Sequence, residues 1–561
     1  MKKLFTLLVN CALIVGTSNA TVFHVDPTGG SSTANGLTWA TAVKNIEQAQ
    51  VLADANSGTD DIYVKGGTLS YPGSSLVIRA TNDVNVYGSF QGIDGETPAT
   101  RAMIDVDGNG VIEPWEFQYP TIISSTNPNN ALTLAASIFD GFTITHVGTK
   151  TTGIMTSIVG AVGGTFQNNI VKNSLVNITI TGTSGYDGIF VRAVGLFKNC
   201  MFEKNTITTI VNTTADKYFC PGMSMAGGTN IIGCTFRNNK AIIDCTASTA
   251  GATASVKGTL INIYGGVAGK CLLSNCLIYN NETVYTGGGG TATPIMTSGC
   301  IVGTAGLSSV AVTDSIVNCT IANNKMHNSA KGGVFIYNNN VLVNNVLNNA
   351  LWNNQVDSLG LKTVVKNLFI NSSVTTGRIG YNLMNKGNAG GYTSNIYTAN
   401  NVFDLTFSNV SNPDSITAPR FKMPTTLVGC NRIAGSVDSI AIAQADWRVN
   451  ANSYLVKKGM TTTILTDKAG IPFATPPTVG AYEYVTVNAV IPVNQNVTNI
   501  AYIQNAQIIS KQQGKLQVFN LNGSVIWNGN VMNEQKITLP AGCYLLRLTS
   551  ENEVSTQKIK L

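Results

Sequence analysis

Charge is scarce in this chain. Asp, Glu, Lys and Arg make up 11% of its residues, where a globular chain carries about a quarter. The formal net charge is only +6 over 561 residues and no basic cluster stands out, so nucleic acid is not an expected partner. Histidine occurs three times, as His24, His146 and His327, which leaves little material for imidazole general-base chemistry. No CxxC pair exists among the eleven cysteines, which argues against a zinc cluster of that spacing. A Gly-x-Ser-x-Gly nucleophile motif is also missing. Beyond the first twenty residues no apolar run is long enough to cross a bilayer as a helix.

Gly, Asn, Thr and Ser take the place of charge, and the hydrophobic fraction is 43%. That excludes a disordered chain. The opening "MKKLFTLLVNCALIVGTSNA" has Lys2 and Lys3, an apolar stretch from Leu4 to Val15, and small residues up to Ala20. It reads as a signal peptide over residues 1–20, with cleavage after Ala20. Asn10 fits poorly before a lipidated Cys11, and the apolar stretch continues past that cysteine.

One short pattern recurs in the middle of the chain. "FKNCMFEKN" (Phe197 to Asn205), "IIGCTFRNN" (to Asn239), "LSNCLIYNN" (to Asn281) and "IVNCTIANN" (to Asn324) share it. "FQNNIVKN" (to Asn173), "LNNALWNN" (to Asn354) and "VKNLFINSS" (to Ser373) are weaker copies. Alternating apolar residues mark a short strand, and the closing Asn marks a turn, because Asn tolerates left-handed backbone. Spacing of roughly 20 to 40 residues is that of a solenoid. Stacked copies would bury an apolar column, with corner asparagines bonded from coil to coil. Cys200, Cys234, Cys276 and Cys319 hold one place in the repeat; they are expected to face inward as small buried side chains that need not be bonded. A helical run from Thr41 to Ala53, with Ala42, Ile46, Ala49 and Leu52 on one face, would cover the first coil. The expected class is all-β: a right-handed parallel β-helix over residues 21–485 with an N-terminal capping helix, a linker at 486–497, and a small β-sandwich at 498–561.

"DVDGNGVIEPWEF" interrupts this texture. Asp105, Asp107, Asn109, Gly110, Glu113 and Glu116 stand at offsets 1, 3, 5, 6, 9 and 12, the spacing of an EF-hand calcium loop. The expected ligands of one structural Ca2+ are Asp105, Asp107, Asn109, the Val111 carbonyl, Glu113 and Glu116. Pro98 and the glycines upstream argue against a flanking entry helix, and Pro114 suits the first turn of a short exit helix. Such an ion would pin an insertion onto the first coils.

"GLTWATAVKNIEQA", "DIYVKGGTLSY" and "VNVYGSFQGIDGETPATR" resemble the opening of large right-handed β-helix surface proteins of Bacteroidetes, related in fold to pectate lyases. "WRVNANSYLVKKG" and "TVGAYEY" resemble their closing coil. The C-terminal "LQVFNLNGSVIW", "LPAGCYLLRL" and "KIKL" are similar to the sorting domain of type IX secretion, with Val518, Asn520, Gly523, Leu539, Gly542, Tyr544, Lys558 and Lys560 on its pattern. The hairpin turn there falls at Asn522-Gly523. This resemblance implies the type IX secretion machinery as a partner and a secreted or surface-attached protein.

Catalysis on uronides needs clustered carboxylates with a cationic base, or paired carboxylates for hydrolysis. The acids of the repeats, Asp187, Glu203, Asp216, Asp244, Glu282, Asp314 and Asp357, are isolated in sequence. Only His24 has a carboxylate close by in sequence, Asp26. Tyr264, Tyr279, Tyr337 and Trp352 could form a sugar-stacking strip, but buried packing is the more usual fate of aromatics. The expected role is adhesion, glycan binding or structural display on the cell exterior, with polysaccharide as a candidate ligand and no assigned catalytic residue. The alternative is a polysaccharide lyase or glycoside hydrolase on the same scaffold, which Asp187, Asp216 or Asp244 gathered with Lys or Arg in a groove would favour.

Overall fold

The computed structural model describes residues 20–485 and 501–560 outside a set of inter-strand segments, the longest being 152–158, 181–190, 247–253, 287–299, 306–314, 386–401 and 405–418. The signal peptide apart from Ala20, the linker at 486–497, the Asn522-Gly523 turn, Asp187, Asp216, Asp314, Tyr264 and the Tyr337 side chain lie outside the described residues. The chain divides into two compact units at Tyr484 and Val485.

The first unit is a right-handed parallel β-helix. Eleven strands, from Val22–Val25 to Gly377–Gly380, form one parallel sheet, and nine, from Leu76–Ile78 to Leu368–Ile370, form another. Between them in each coil run two short strands separated by a sharp corner, as in Met201–Glu203 followed by Thr206–Val211. Inward side chains of the coil strands form one continuous core that runs from Phe23 to Met384. Like residues stack along it: Phe139, Phe166 and Phe197 follow one another in register.

The corners show what the recurrent asparagines do. Each "Asn-Asn" pair splits its work. The first residue takes the left-handed backbone that turns the strand: Asn238, Asn280, Asn323, Asn348 and Asn353 have φ between 50° and 59°. The second points inward and stacks. Asn205, Asn239, Asn281, Asn324, Asn354 and Asn367 form a buried ladder in which each Nδ2 donates to the Oδ1 of the next at 2.8–3.0 Å. Each backbone N–H from Asn205 to Asn354 donates to the same oxygen. The other Nδ2 hydrogen meets a carbonyl of the preceding coil, as Asn281 does with Phe236 at 2.9 Å. Every amide in the run is therefore satisfied, which a buried polar group requires.

The preceding corner carries the cysteines. Cys200, Cys234, Cys276 and Cys319 are wholly buried and unbonded, in a column continued by Asn349 and Asn382. Their thiols donate weakly to carbonyls of the coil before. "VKNLFINSS" is not an equivalent copy. Asn367 takes a ladder position, but Leu368–Ile370 pairs with Val334–Ile336 in the nine-stranded sheet.

The cap helix spans Ile46–Asp54, later than the run beginning at Thr41. Asn45 sets its start, because its side chain accepts the Gln48 N–H; Trp39–Thr41 is a separate 3₁₀ turn. Ala42, Ile46 and Ala49 are buried as the periodicity implies.

Residues 419–484 do not continue the coils. Asp446–Val449 pairs antiparallel with Phe421–Met423, and the segment lies over the outer face of the sheet containing Leu277–Tyr279. Trp447, Phe421, Ile442, Leu455, Val479 and Ala481 bury Leu277, Tyr279, Ala322, Ala350 and Leu383. The "closing coil" motif is thus a roof. Left-handed asparagines grip both its edges. Asn238, Asn280 and Asn323 donate to the carbonyls of Asn431, Leu427 and Thr425, each at 2.7 Å. On the opposite side Asn275 donates to Thr466 O at 2.7 Å, and Asn348 makes a two-bond pair with the Met460 peptide groups at 2.8 Å.

The second unit is a β-sandwich. Ala501–Gln504, Gln507–Ser510 and Lys536–Ile537 form one sheet, and Gly514–Phe519, Val525–Val531, Cys543–Thr549 and Val554–Lys560 the other. Leu516, Val518, Leu546 and Leu548 meet Ile508 and Ile537 in its core. No helix among the described residues is long and apolar enough to cross a membrane.

Candidate functional site

The loop at Asp105–Glu116 folds on itself through its own carboxylates. Asp105 accepts the N–H groups of Gly108 and Gly110 at 2.8 and 2.9 Å. Gly110 has φ of 80°, a conformation few residues besides glycine hold cheaply. Glu116 is buried and reaches back: Oε1 accepts from Val106 and Asp107, and Oε2 from Glu113. Oxygens of Asp105, Asp107 and Glu116 converge within 4.8 Å of one another. Glu113 is not in that group of acids. Asn109 donates to Glu113 Oε1 at 2.9 Å, and its Oδ1 accepts the Val111 N–H. Burial, the Glu116 hydrogen bond and nearby acids push the Glu113 carboxyl up to about 8. No exit helix follows Pro114; residues 114–115 form a turn.

The loop sits farther along the solenoid than the first coils. Trp115 packs on Ile170 and Met201. Arg237, from the coil after that of Met201, donates to Asp107 Oδ2 at 2.8 Å, to Glu203 Oε1 at 3.0 Å and to Ala443 O of the roof at 2.8 Å. This buried guanidinium therefore joins loop, coil and roof. Burial raises the Asp107 carboxyl above the usual range even though Arg237 opposes it. Sequence spacing revealed the loop but not Arg237, which lies far away in the chain.

A second charged cluster was not legible as one. His327 Nε2 lies 3.0 Å from Glu282 Oε1 and its Nδ1 lies 2.7 Å from Asp357 Oδ2. Lys240 and Lys325 flank them, and Cys430 of the roof donates to Glu282 Oε2. Burial favours the neutral Glu282 carboxyl, but the His327 hydrogen bond and the Lys240 charge outweigh it and bring it down to about 2. Burial and the Glu282 charge push the Cys430 thiol up to about 12, far from a nucleophilic thiolate. The signal was present in the repeats: the residue after each "Asn-Asn" reads Lys240, Glu282, Lys325, Gln355, and these stack in register.

His24 is not paired with Asp26. It faces Gly36 O and the Trp39 ring, while Asp26 binds Lys65 at 2.9 Å. His146 is buried, and burial lowers it to about 4. Asp244 accepts from Thr246. Tyr279 and Trp352 pack beneath the roof against Trp447.

No curated protein matches the chain. Residues 492–561 match the secretion system C-terminal sorting domain, the strands of which form the sandwich described above. That module marks a chain for the type IX secretion machinery, and the protein is accordingly a secreted one, at the cell surface or outside the cell.

Proposed function

We propose that the protein is a rigid, non-catalytic β-helix of the pectate-lyase type that binds glycan at the cell exterior. The roof over Leu277, Tyr279, Ala322, Ala350 and Leu383 carries this reading. It occupies the sheet face on which a polysaccharide groove would otherwise lie, and Tyr279 and Trp352, which could stack sugars, are spent on it. The lyase or hydrolase reading draws its support from Glu282, His327 and Asp357. There the imidazole fills the space between the two carboxylates, where a glycosidase needs water or a sugar. Incubating the mature protein on a glycan array, with product analysis of every polysaccharide retained, separates the two. Retention without chain shortening is expected; new reducing ends or unsaturated uronates would establish the enzyme.

The 105–116 loop is proposed to hold one Ca2+ through Asp105, Asp107 and Glu116, with the Val111 carbonyl, Asn109 and Glu113 completing the set. Three converging carboxyl groups beside a single guanidinium leave negative charge that a hard cation would neutralise. Its role is structural, since no pair of helices flanks the loop to open. Calorimetric titration of the chelator-treated protein should find about one site. Asp105→Ala and Glu116→Ala should each abolish the heat, and unchanged heat in both would refute the site.

A further inference from the structure

Open edges of a sheet invite pairing with another chain unless they are short or carry charge. In the C-terminal sandwich three edge strands are protected in this way. Ala501–Gln504 has four residues and Lys536–Ile537 two, and Val554–Lys560 carries Lys558 and Lys560. Val525–Val531 is different. It has seven residues, holds neither charge nor proline, and pairs with Gly514–Phe519 alone. No charged residue occurs between Lys515 and Glu534. Val525 and Ile526 are 49% and 40% exposed, and Met532, just beyond the strand, is 69% exposed. A bulge at Ile526 leaves Trp527–Val531 in regular register with the neighbouring strand. Among the described residues no strand pairs with the outer side of that stretch. Its outward N–H and C=O groups are a template for an added strand.

The side chains of the stretch select the occupant. A charged strand would meet no counter-charge there, so a neutral one fits best, and the stretch is complementary to itself. Two copies running antiparallel about a twofold axis at Gly529 set Trp527 across from Val531 and Asn528 across from Asn530. The first is a favourable aromatic–β-branched pair, and the second can exchange amide hydrogen bonds. Glycine meets glycine on the axis, where no side chain opposes the close approach. The Trp527 ring lies over its own Gly529, 2.9 Å from where a Cβ would stand, so the two indoles come together there.

We infer that Trp527–Val531 is the docking edge for a second copy of this chain, joining two sandwiches through one antiparallel strand pair. An interface one strand wide belongs to the weak, transient class, so a dissociation constant of about 10–100 µM is expected. Sedimentation velocity of the chain from residue 21 to 561, at about 5 to 200 µM, brackets that range. The parent should pass from monomer to dimer. Asn528 and Asn530 are exposed, so they accept charge without entering the core. Asn528→Lys combined with Asn530→Lys sets ammonium against ammonium across the axis and should weaken the dimer about ten-fold or more. Asn528→Glu combined with Asn530→Glu should do the same, while an equimolar mixture of the two variants should recover dimer at the parent's level. That recovery separates a lost pairing from a damaged fold. A parent that stays monomeric at the highest concentration, a lysine variant that dimerises as the parent does, or a mixture that recovers nothing would each overturn the pairing. A monomeric parent whose lysine variant is no longer exported would assign the edge to the secretion machinery instead.

Discussion

Asn281→Ala is expected to destabilise the β-helix by about 4 kcal/mol or more, a large effect for one surface-sized side chain. The ladder gives the reason. Asn281 Oδ1 accepts from both the backbone N–H and the Nδ2 of Asn239, at 3.1 and 2.9 Å. Its own Nδ2 serves Phe236 O and Asn324 Oδ1. Truncation strands two donors of Asn239 and one carbonyl in a place where water does not reach, and Asn281 itself is 1% exposed. Each buried group left unmade costs about 1–3 kcal/mol. Asn281→Asp should be as damaging. It keeps the acceptor for Asn239 but turns a carboxylate toward Phe236 O and Asn324 Oδ1, both acceptors. Asn280→Ala, one residue earlier, should cost less: it loses the grip on Leu427 and Gly429 and loosens the roof before the coils. Urea unfolding followed by far-ultraviolet circular dichroism measures the difference. Equal midpoints for Asn281→Ala and the parent would show that the ladder contributes nothing net.

The same dipeptide shows how far the sequence could be read. The repeated strand, its inward cysteines and its turn asparagines were visible because stacking demands that like residues recur at like places. Which asparagine turns and which stacks was not visible, since both are the same residue and differ only in backbone conformation. "WRVNANSYLVKKG" was legible as an ending but not as a roof. Trp447 and Leu455 are apolar as they would be in a coil, and only the outward-facing Leu277 and Ala350 of the sheet decide where they pack. The 105–116 loop was legible from spacing alone, because its carboxylates are close in the chain. Spacing did not show how the loop bonds within itself: Asn109 donates to Glu113, while oxygens of Asp105, Asp107 and Glu116 converge. Contacts made across coils were beyond reach. His327 meets Glu282 and Asp357 only after adjacent coils are set in register, and the Arg237–Asp107 pair joins residues on different structural layers.

Replacing Arg237 by methionine should destabilise the fold by about 3–5 kcal/mol at neutral pH, the usual cost of removing one partner from a buried ionic group. Methionine keeps most of the volume, so packing alone predicts a much smaller loss. The guanidinium leaves behind Asp107 and Glu203, both buried, and frees the Ala443 carbonyl. The dependence on pH distinguishes charge from packing. Burial already holds the Asp107 carboxyl above its ordinary value with Arg237 in place. Without that cation it must rise further. A carboxyl whose folded value lies above its unfolded one weakens the fold at every pH where the unfolded group is ionised. The penalty is therefore full at neutral pH and fades as the pH falls through the folded values toward about 4, where the unfolded carboxyl is protonated too. The parent gains less over the same interval, because Arg237 already limits the rise of the Asp107 carboxyl. The two urea midpoints should accordingly converge on acidification. Asp107→Asn combined with Arg237→Met should recover part of the loss at neutral pH, since it removes a stranded charge without restoring the bond. A difference between parent and Arg237→Met that stays constant from pH 7.5 to 4 would assign the effect to packing and break the electrostatic link between loop, coil and roof.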